Sequence, residues 1–125
     1  MNAPLAVLIV EDSADDARLL VRHLQQAGHE VLHEHVETAE ALAAALERRN
    51  WDVVLSDYRL PDFDAGAALA LLQESGRDIP FIVISGAIRE EAAVELMRRG
   101  ANDYLMKNNL SRLAPAVLRE IADAG

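Results

Sequence analysis

The chain has 125 residues, 51% of them hydrophobic and 26% charged, enough for one domain with a real hydrophobic core. The formal net charge of −9 argues against a surface that grips DNA or RNA. There is no cysteine, no apolar run long enough for a bilayer, and no signal-peptide pattern at Met1-Asn2-Ala3-Pro4, so the expectation is a single cytoplasmic domain over residues 1–125.

In chain order, Leu5 to Val10 is an almost wholly apolar, β-rich run, the pattern of a strand buried on both faces. Ser13-Ala-Asp-Asp16 reads as a capping box, with Asp in place of Glu at its last position. The helix behind it is expected to bury Leu19, Leu20, His23, Leu24 and Ala27, and Gly28 can end it. Glu30 to Val36 alternates and reads as a more exposed strand, and Thr38 caps a helix over 39–48. His33 and His35 share one side of that strand, but with no third ligand nearby a partly exposed strand outweighs a metal site.

Trp51 to Ser56 is a third strand and Asp64 opens a helix through Glu74, closed by Gly76. Pro80 to Ser85 is a fourth strand, followed by a helix over 89–99 with Gly100 in the stop position. Asn102 to Met106 is a short fifth strand, and a last helix starts at Ser111 or Pro115 and runs to Ala122. The arginine pairs Arg48-Arg49 and Arg98-Arg99 read as solvated helix ends that favour the dipole. Five βα units with short connections require helical crossovers on both faces, a doubly wound α/β sandwich around a five-stranded parallel sheet.

Such a sheet places its chemistry beyond the carboxyl ends of its strands. Glu11-Asp12 follows the first strand and Asp57 the third, Ser85-Gly86 ends the fourth, and the fifth leads through Tyr104 to Lys107, the chain's single lysine. Three carboxylates, a hydroxyl and an ammonium thus converge on one edge. Crowded carboxylates resist joint ionisation unless a cation intervenes, and an all-oxygen cluster with an open side suits Mg²⁺. A carboxylate can itself be the nucleophile for a phosphoryl group, and Lys107 offers a compact positive charge for a phosphoryl oxygen.

The acid pair Glu11-Asp12, the segment Asp57-Tyr-Arg-Leu-Pro61, Ser85-Gly86 and Gly100-Ala-Asn-Asp-Tyr-Leu-Met-Lys107 match in order the landmarks of response regulator receiver domains. The chain resembles that family over residues 5 to 122, and is similar to receivers attached to sensory, histidine kinase or cyclic-dinucleotide modules. The resemblance implies a flavodoxin-like three-layer sandwich with strand order 2-1-3-4-5. It implies that Asp57 accepts a phosphoryl group from the phosphohistidine of a histidine kinase or phosphotransfer protein. Glu11, Asp12, Asp57 and the Arg59 backbone carbonyl would hold Mg²⁺, with Glu11 acting through water. Ser85 and Lys107 would contact the phosphoryl group, and Tyr104 would reorient with Ser85, altering the surface of the fourth helix, fifth strand and fifth helix. Glu91, Glu95, Arg98 and Asp103 on that surface suit a salt-bridged homodimer. The domain would be a regulatory phosphoacceptor rather than an enzyme acting on a separate substrate.

Two departures from the family pattern affect loops. Asn108 replaces the proline that usually follows the lysine, removing the chemical basis for a cis peptide there. Gly86-Ala87-Ile88 makes the loop after the switch hydroxyl glycine-bearing and more mobile. Among other functions, a phosphatase is disfavoured because position 59 is Arg, so Asp-x-Asp is missing. A flavin module would want a Gly- or Ser/Thr-rich phosphate loop where Glu11-Asp12 stand. A receiver-like module that works without phosphorylation is the serious rival.

Overall fold

In the computed structural model, which describes residues 4–61, 63–86 and 90–124, five parallel strands form one sheet in the order β2-β1-β3-β4-β5. The elements run β1 (Leu5–Val10), α1 (Ala14–Gln26), β2 (Val31–Val36), α2 (Ala39–Arg48), β3 (Val53–Asp57), α3 (Ala65–Glu74), β4 (Phe81–Ser85), α4 (Glu90–Arg99), β5 (Asp103–Met106), a 3₁₀ turn (Leu110–Arg112) and α5 (Leu113–Ala124). The doubly wound sandwich and strand order expected from the sequence are both present.

The alternation of strand side chains builds two cores from one sheet. Val7 and Ile9 of β1, with Leu55 of β3 and Ile84 of β4, pack against Leu20, Val21 and Leu24 of α1 and Leu113 and Val117 of α5. Leu8 and Val10, with Val54 and Val83, face Leu42 and Leu46 of α2, Leu69 and Leu72 of α3 and Leu96 of α4. The central strands β1, β3 and β4 are apolar except at the carboxyl ends of β3 and β4, where Ser56, Asp57 and Ser85 stand, because both faces are covered. Strand β2 lies at an edge, and Leu32 and His33 on it are exposed.

Helix starts follow side-chain capping. Ser13, Thr38 and Asp64 accept from the backbone N–H groups of Asp16, Ala41 and Ala67. Gly28, Gly76 and Gly100, just beyond α1, α3 and α4, carry positive φ of 99°, 76° and 121°. The last helix resolves the choice of start: a 3₁₀ turn from Leu110 leads into α5 at Leu113, so Pro115 falls in the first helical turn, where no N–H partner is required.

Several local expectations are corrected. The buried stripe of α1 is Ala17, Leu20, Val21 and Leu24, whereas Leu19 and Ala27 are exposed and His23 is half-buried. The i, i+3, i+4, i+7 set centred on Leu20 is the one that the α1 axis aims at β1 and α5. Trp51 stands before β3 rather than in it, buried, with its indole N–H donating to the Ala45 carbonyl at 2.9 Å. Arg99 is not a free helix end. Its guanidinium donates to the Gly66 carbonyl at 3.1 Å, while the Gln73 amide donates to the Arg99 carbonyl at 2.6 Å, tying α4 to α3. Arg48 pairs with Glu34, and Arg49 lies over the Trp51 ring. No peptide bond among the described residues is cis, as the Lys107-Asn108 sequence leads one to expect. Ala87 and Ile88, named for loop mobility, and Arg89, expected to begin the fourth helix, lie outside the described residues.

Candidate functional site: an acidic cluster closed by the single lysine

Strand β1 pairs with β2 on one side and β3 on the other, so the chain direction of the sheet's winding reverses between β1 and β3. The crevice beyond the ends of these strands is where an open α/β sheet leaves room for a ligand. Glu11 and Asp12 immediately follow β1, Asp57 is the last residue of β3, Ser85 the last of β4, and Lys107 follows β5. Parallel register sets Asp57 beside Ile84 and Ser85 beside Met106, which brings these ends level.

Glu11, Asp12 and Asp57 each offer a carboxylate oxygen within 4.8 Å of the others. They differ in environment. Glu11 is buried at 1% exposure, Asp57 is half-buried and Asp12 is exposed. Glu11 Oε1 accepts from the backbone N–H groups of Asp12 and Ser13, both at 3.1 Å, and its Oε2 lies 2.9 Å from Lys107 Nζ. Burial raises the Glu11 carboxyl from 4.5 to about 7, and the Asp57 charge pushes the same way, against the opposing bonds from Lys107 and the Ser13 N–H. A buried acid so crowded gains most from an added cation, which is the property of this cluster that fits a hard, oxygen-loving divalent ion.

Asp57 Oδ1 accepts from the Tyr58 N–H at 2.8 Å, and its Oδ2 stands 3.5 Å from Lys107 Nζ. One carboxylate oxygen is therefore oriented by backbone and the other faces the ammonium. Lys107 also reaches Asp16 Oδ2 at 2.8 Å. Burial alone would depress the Lys107 ammonium, but its bonds to Asp16 and Glu11 and the Asp57 charge outweigh that and raise it well above the ordinary lysine range. The lysine is cationic at every physiological pH.

Ser85 is buried, and its carbonyl accepts from the Lys107 N–H at 2.8 Å, so Ser85 and the lysine share a backbone link. Tyr104 is half-buried beside Tyr58, with ring centroids 6.5 Å apart and planes tilted by 54°, and its buried hydroxyl has no hydrogen-bond partner among the described residues. Arg59 lies two residues beyond Asp57, in an antiparallel bridge with Asp64, and its guanidinium sits over the Tyr58 ring.

The structure thus brings together Glu11, Asp12, Asp57 and Lys107 as the strand ends foretell. It corrects two local readings. The capping box of α1 is only half built: Ser13 Oγ caps Asp16 N–H, but Ser13 N–H donates to Glu11 and the Asp16 carboxylate goes to Lys107 instead. Asp103, named for a dimer face, is half-buried and paired within the chain to Arg119 at 2.6 Å. The strand that carries His33 and His35 is partly exposed, as expected, and the His35 ring contacts the Glu11 carbonyl. Asp16 is the site residue that sequence reading assigned only to capping. Its signal was its place in the first turn of the helix that follows the Glu11-Asp12 acid pair.

Residues 7–118 match the family model described as the response regulator receiver domain. Response regulator protein FleR of Pseudomonas aeruginosa is 35% identical over 101 residues, 81% of this chain and 21% of its own length. The transcriptional regulatory protein PrrA of Mycobacterium tuberculosis is 34% identical over 115 residues, 92% of this chain and 46% of its own. The chain spans less than half the length of these curated relatives. Among solved structures, the signal receiver domain of a LuxO repressor protein from Vibrio parahaemolyticus superposes with a TM-score of 0.85 at 27% identity, covering 98% of this chain and 93% of that one. A sensor protein from Polaromonas superposes with a TM-score of 0.84 at 26% identity, covering 99% and 100%.

Proposed function

The chain belongs to the response regulator receiver family, and from that premise we propose that it is a phosphorylation-controlled switch whose acceptor is Asp57. The observation that carries this reading is the cluster itself: three carboxylates sharing one small space, with the single lysine 3.5 Å from Asp57 Oδ2.

A carboxylate oxygen of Asp57 attacks the phosphorus of a phosphohistidine on a partner histidine kinase or phosphotransfer protein. The P–O bond forms as the P–N bond breaks, and the imidazole leaves with the electron pair and takes up a proton. Phosphoryl transfer asks the protein mainly for positioning and charge neutralisation. Glu11, Asp12, Asp57 and the Arg59 carbonyl would hold Mg²⁺, whose charge offsets that of the carboxylates and the incoming phosphoryl oxygens. Lys107 supplies the second positive charge, fixed by Ser85 through the backbone bond between them. The Ser85 hydroxyl binds a phosphoryl oxygen, and Tyr104, whose buried hydroxyl has no hydrogen-bond partner among the described residues, turns with it. The changed surface is that of α4, β5 and α5. The exposed Glu91, Glu95 and Arg98 there suit a partner or second copy, without Asp103.

Incubation with Mg²⁺ and acetyl phosphate followed by intact-mass measurement tests the reading. A phosphoryl mass increase that vanishes in Asp57→Asn supports it. No increase with either a competent small donor or a cognate phosphohistidine protein sinks it and leaves the phosphorylation-independent interaction module.

A further inference from the structure

Lys107 has three ammonium hydrogens and three carboxylates around it: Asp16 at 2.8 Å, Glu11 at 2.9 Å and Asp57 at 3.5 Å. The phosphoacceptor is the most distant of the three. Glu11 is buried and anchored by two backbone N–H groups, so it is part of the fixed floor of the site. Asp16 differs in kind. It stands in the first turn of α1, its side chain is 42% exposed, and its own backbone N–H is held by Ser13 Oγ. An acid at that position needs no lysine, since a helix N-terminus already favours it. Its carboxylate nevertheless makes the shortest contact to Lys107, across 91 residues of sequence.

We infer that Asp16 is a positioning residue for phosphoryl binding: a resting-state latch that occupies Lys107 and that the phosphoryl group on Asp57 must displace. The inference rests on the phosphoacceptor reading given above. The ammonium stands 3.5 Å from Asp57 Oδ2, so a phosphoryl oxygen on Asp57 gains a short contact when Lys107 moves toward it. Glu11 is locked, so the contact given up is the one to Asp16, on the solvent side. The Asp16 charge also repels the added anionic oxygens once Lys107 turns away from it. Both effects have the same sign. Asp16 makes the unphosphorylated state more stable relative to the phosphorylated one, and sets how readily the lysine is released to the acceptor.

Because Lys107 is the chain's single lysine, lysine-selective isotope labelling gives one side-chain signal that reports its partner directly. Beryllofluoride, which stands in for the phosphoryl group on Asp57, is titrated in Mg²⁺ into the whole chain and into Asp16→Asn, Asp16→Ser and Asp15→Asn. Asp15 is the control: it carries the same charge one residue away but pairs with Arg18 instead. The expected result is an apparent Kd lower by about two- to five-fold in both Asp16 variants, the size set by a partly exposed ion pair, with Asp15→Asn unchanged. The resting Lys107 signal should also shift toward its beryllofluoride-bound position in the Asp16 variants alone. An unchanged or weaker Kd in both Asp16 variants overturns the latch, as does an equal gain in Asp15→Asn, which would make the effect one of overall charge. No beryllofluoride binding by the unaltered chain overturns the latch and the phosphoacceptor reading together. Normal binding without an Asp16 effect overturns the latch alone.

Discussion

The buried Glu11 carboxyl makes the metal-free protein less stable as pH rises, in a window that can be stated in advance. Its ionisation moves from 4.5 to about 7 on folding because burial penalises the anion. The folded state therefore holds a proton that the unfolded state has released between these values. Stability from this group is complete below pH 4.5 and is lost as pH rises to about 7. The shift corresponds to about 3 kcal/mol. Most of that falls between pH 5 and pH 8. Glu11→Gln removes the titration while leaving an amide oxygen to accept from the Asp12 and Ser13 N–H groups. Urea unfolding followed by the fluorescence of the buried Trp51, in chelator at pH 5, 6, 7 and 8, measures both proteins. The stability of the unaltered chain should fall relative to Glu11→Gln by about 2 to 3 kcal/mol from pH 5 to pH 8. A difference constant within about 0.5 kcal/mol across that range refutes the reasoning. Saturating Mg²⁺ should move the fall to lower pH, because a dication beside the carboxylate favours its charged form.

Two further substitutions test how the scaffold holds the site. Ser13→Ala removes the α1 cap and should cost about 1 kcal/mol in thermal or urea unfolding; because Ser13 Oγ also steadies the turn that carries Asp16, the Lys107 side-chain signal should move as well. Gly100→Ala must adopt a φ of +121° and would bring its methyl group to 2.6 Å from the Gln73 amide nitrogen, so a loss of about 1 to 3 kcal/mol is expected, read as a lowered unfolding midpoint.

The alternation of five apolar runs with five amphipathic ones decided the fold before any contact was known, because parallel strands buried on both faces need helical crossovers and the right-handed rule leaves few topologies. The same logic placed Glu11, Asp12, Asp57, Ser85 and Lys107 at strand ends, and therefore at one edge, without knowledge of their distances. Local sequence also specified the caps at Ser13, Thr38 and Asp64, since a cap needs only a short polar side chain within three residues of its target N–H. What the sequence left undecided involves partners remote along the chain. Which stripe of α1 is buried depends on how the helix is rotated against β1 and α5, and an extra apolar residue such as Leu19 blurs the periodic signal. Asp103 and Arg119 find each other across β5 and α5, and Arg99 finds the Gly66 carbonyl across α4 and α3. The division is sharpest at the lysine. Sequence established that one ammonium faces several acids. Only tertiary packing ranked those acids, burying Glu11, exposing Asp12, and swinging Asp16 out of its helix-local role to hold Lys107, because electrostatic preference depends on distance and burial rather than on order along the chain.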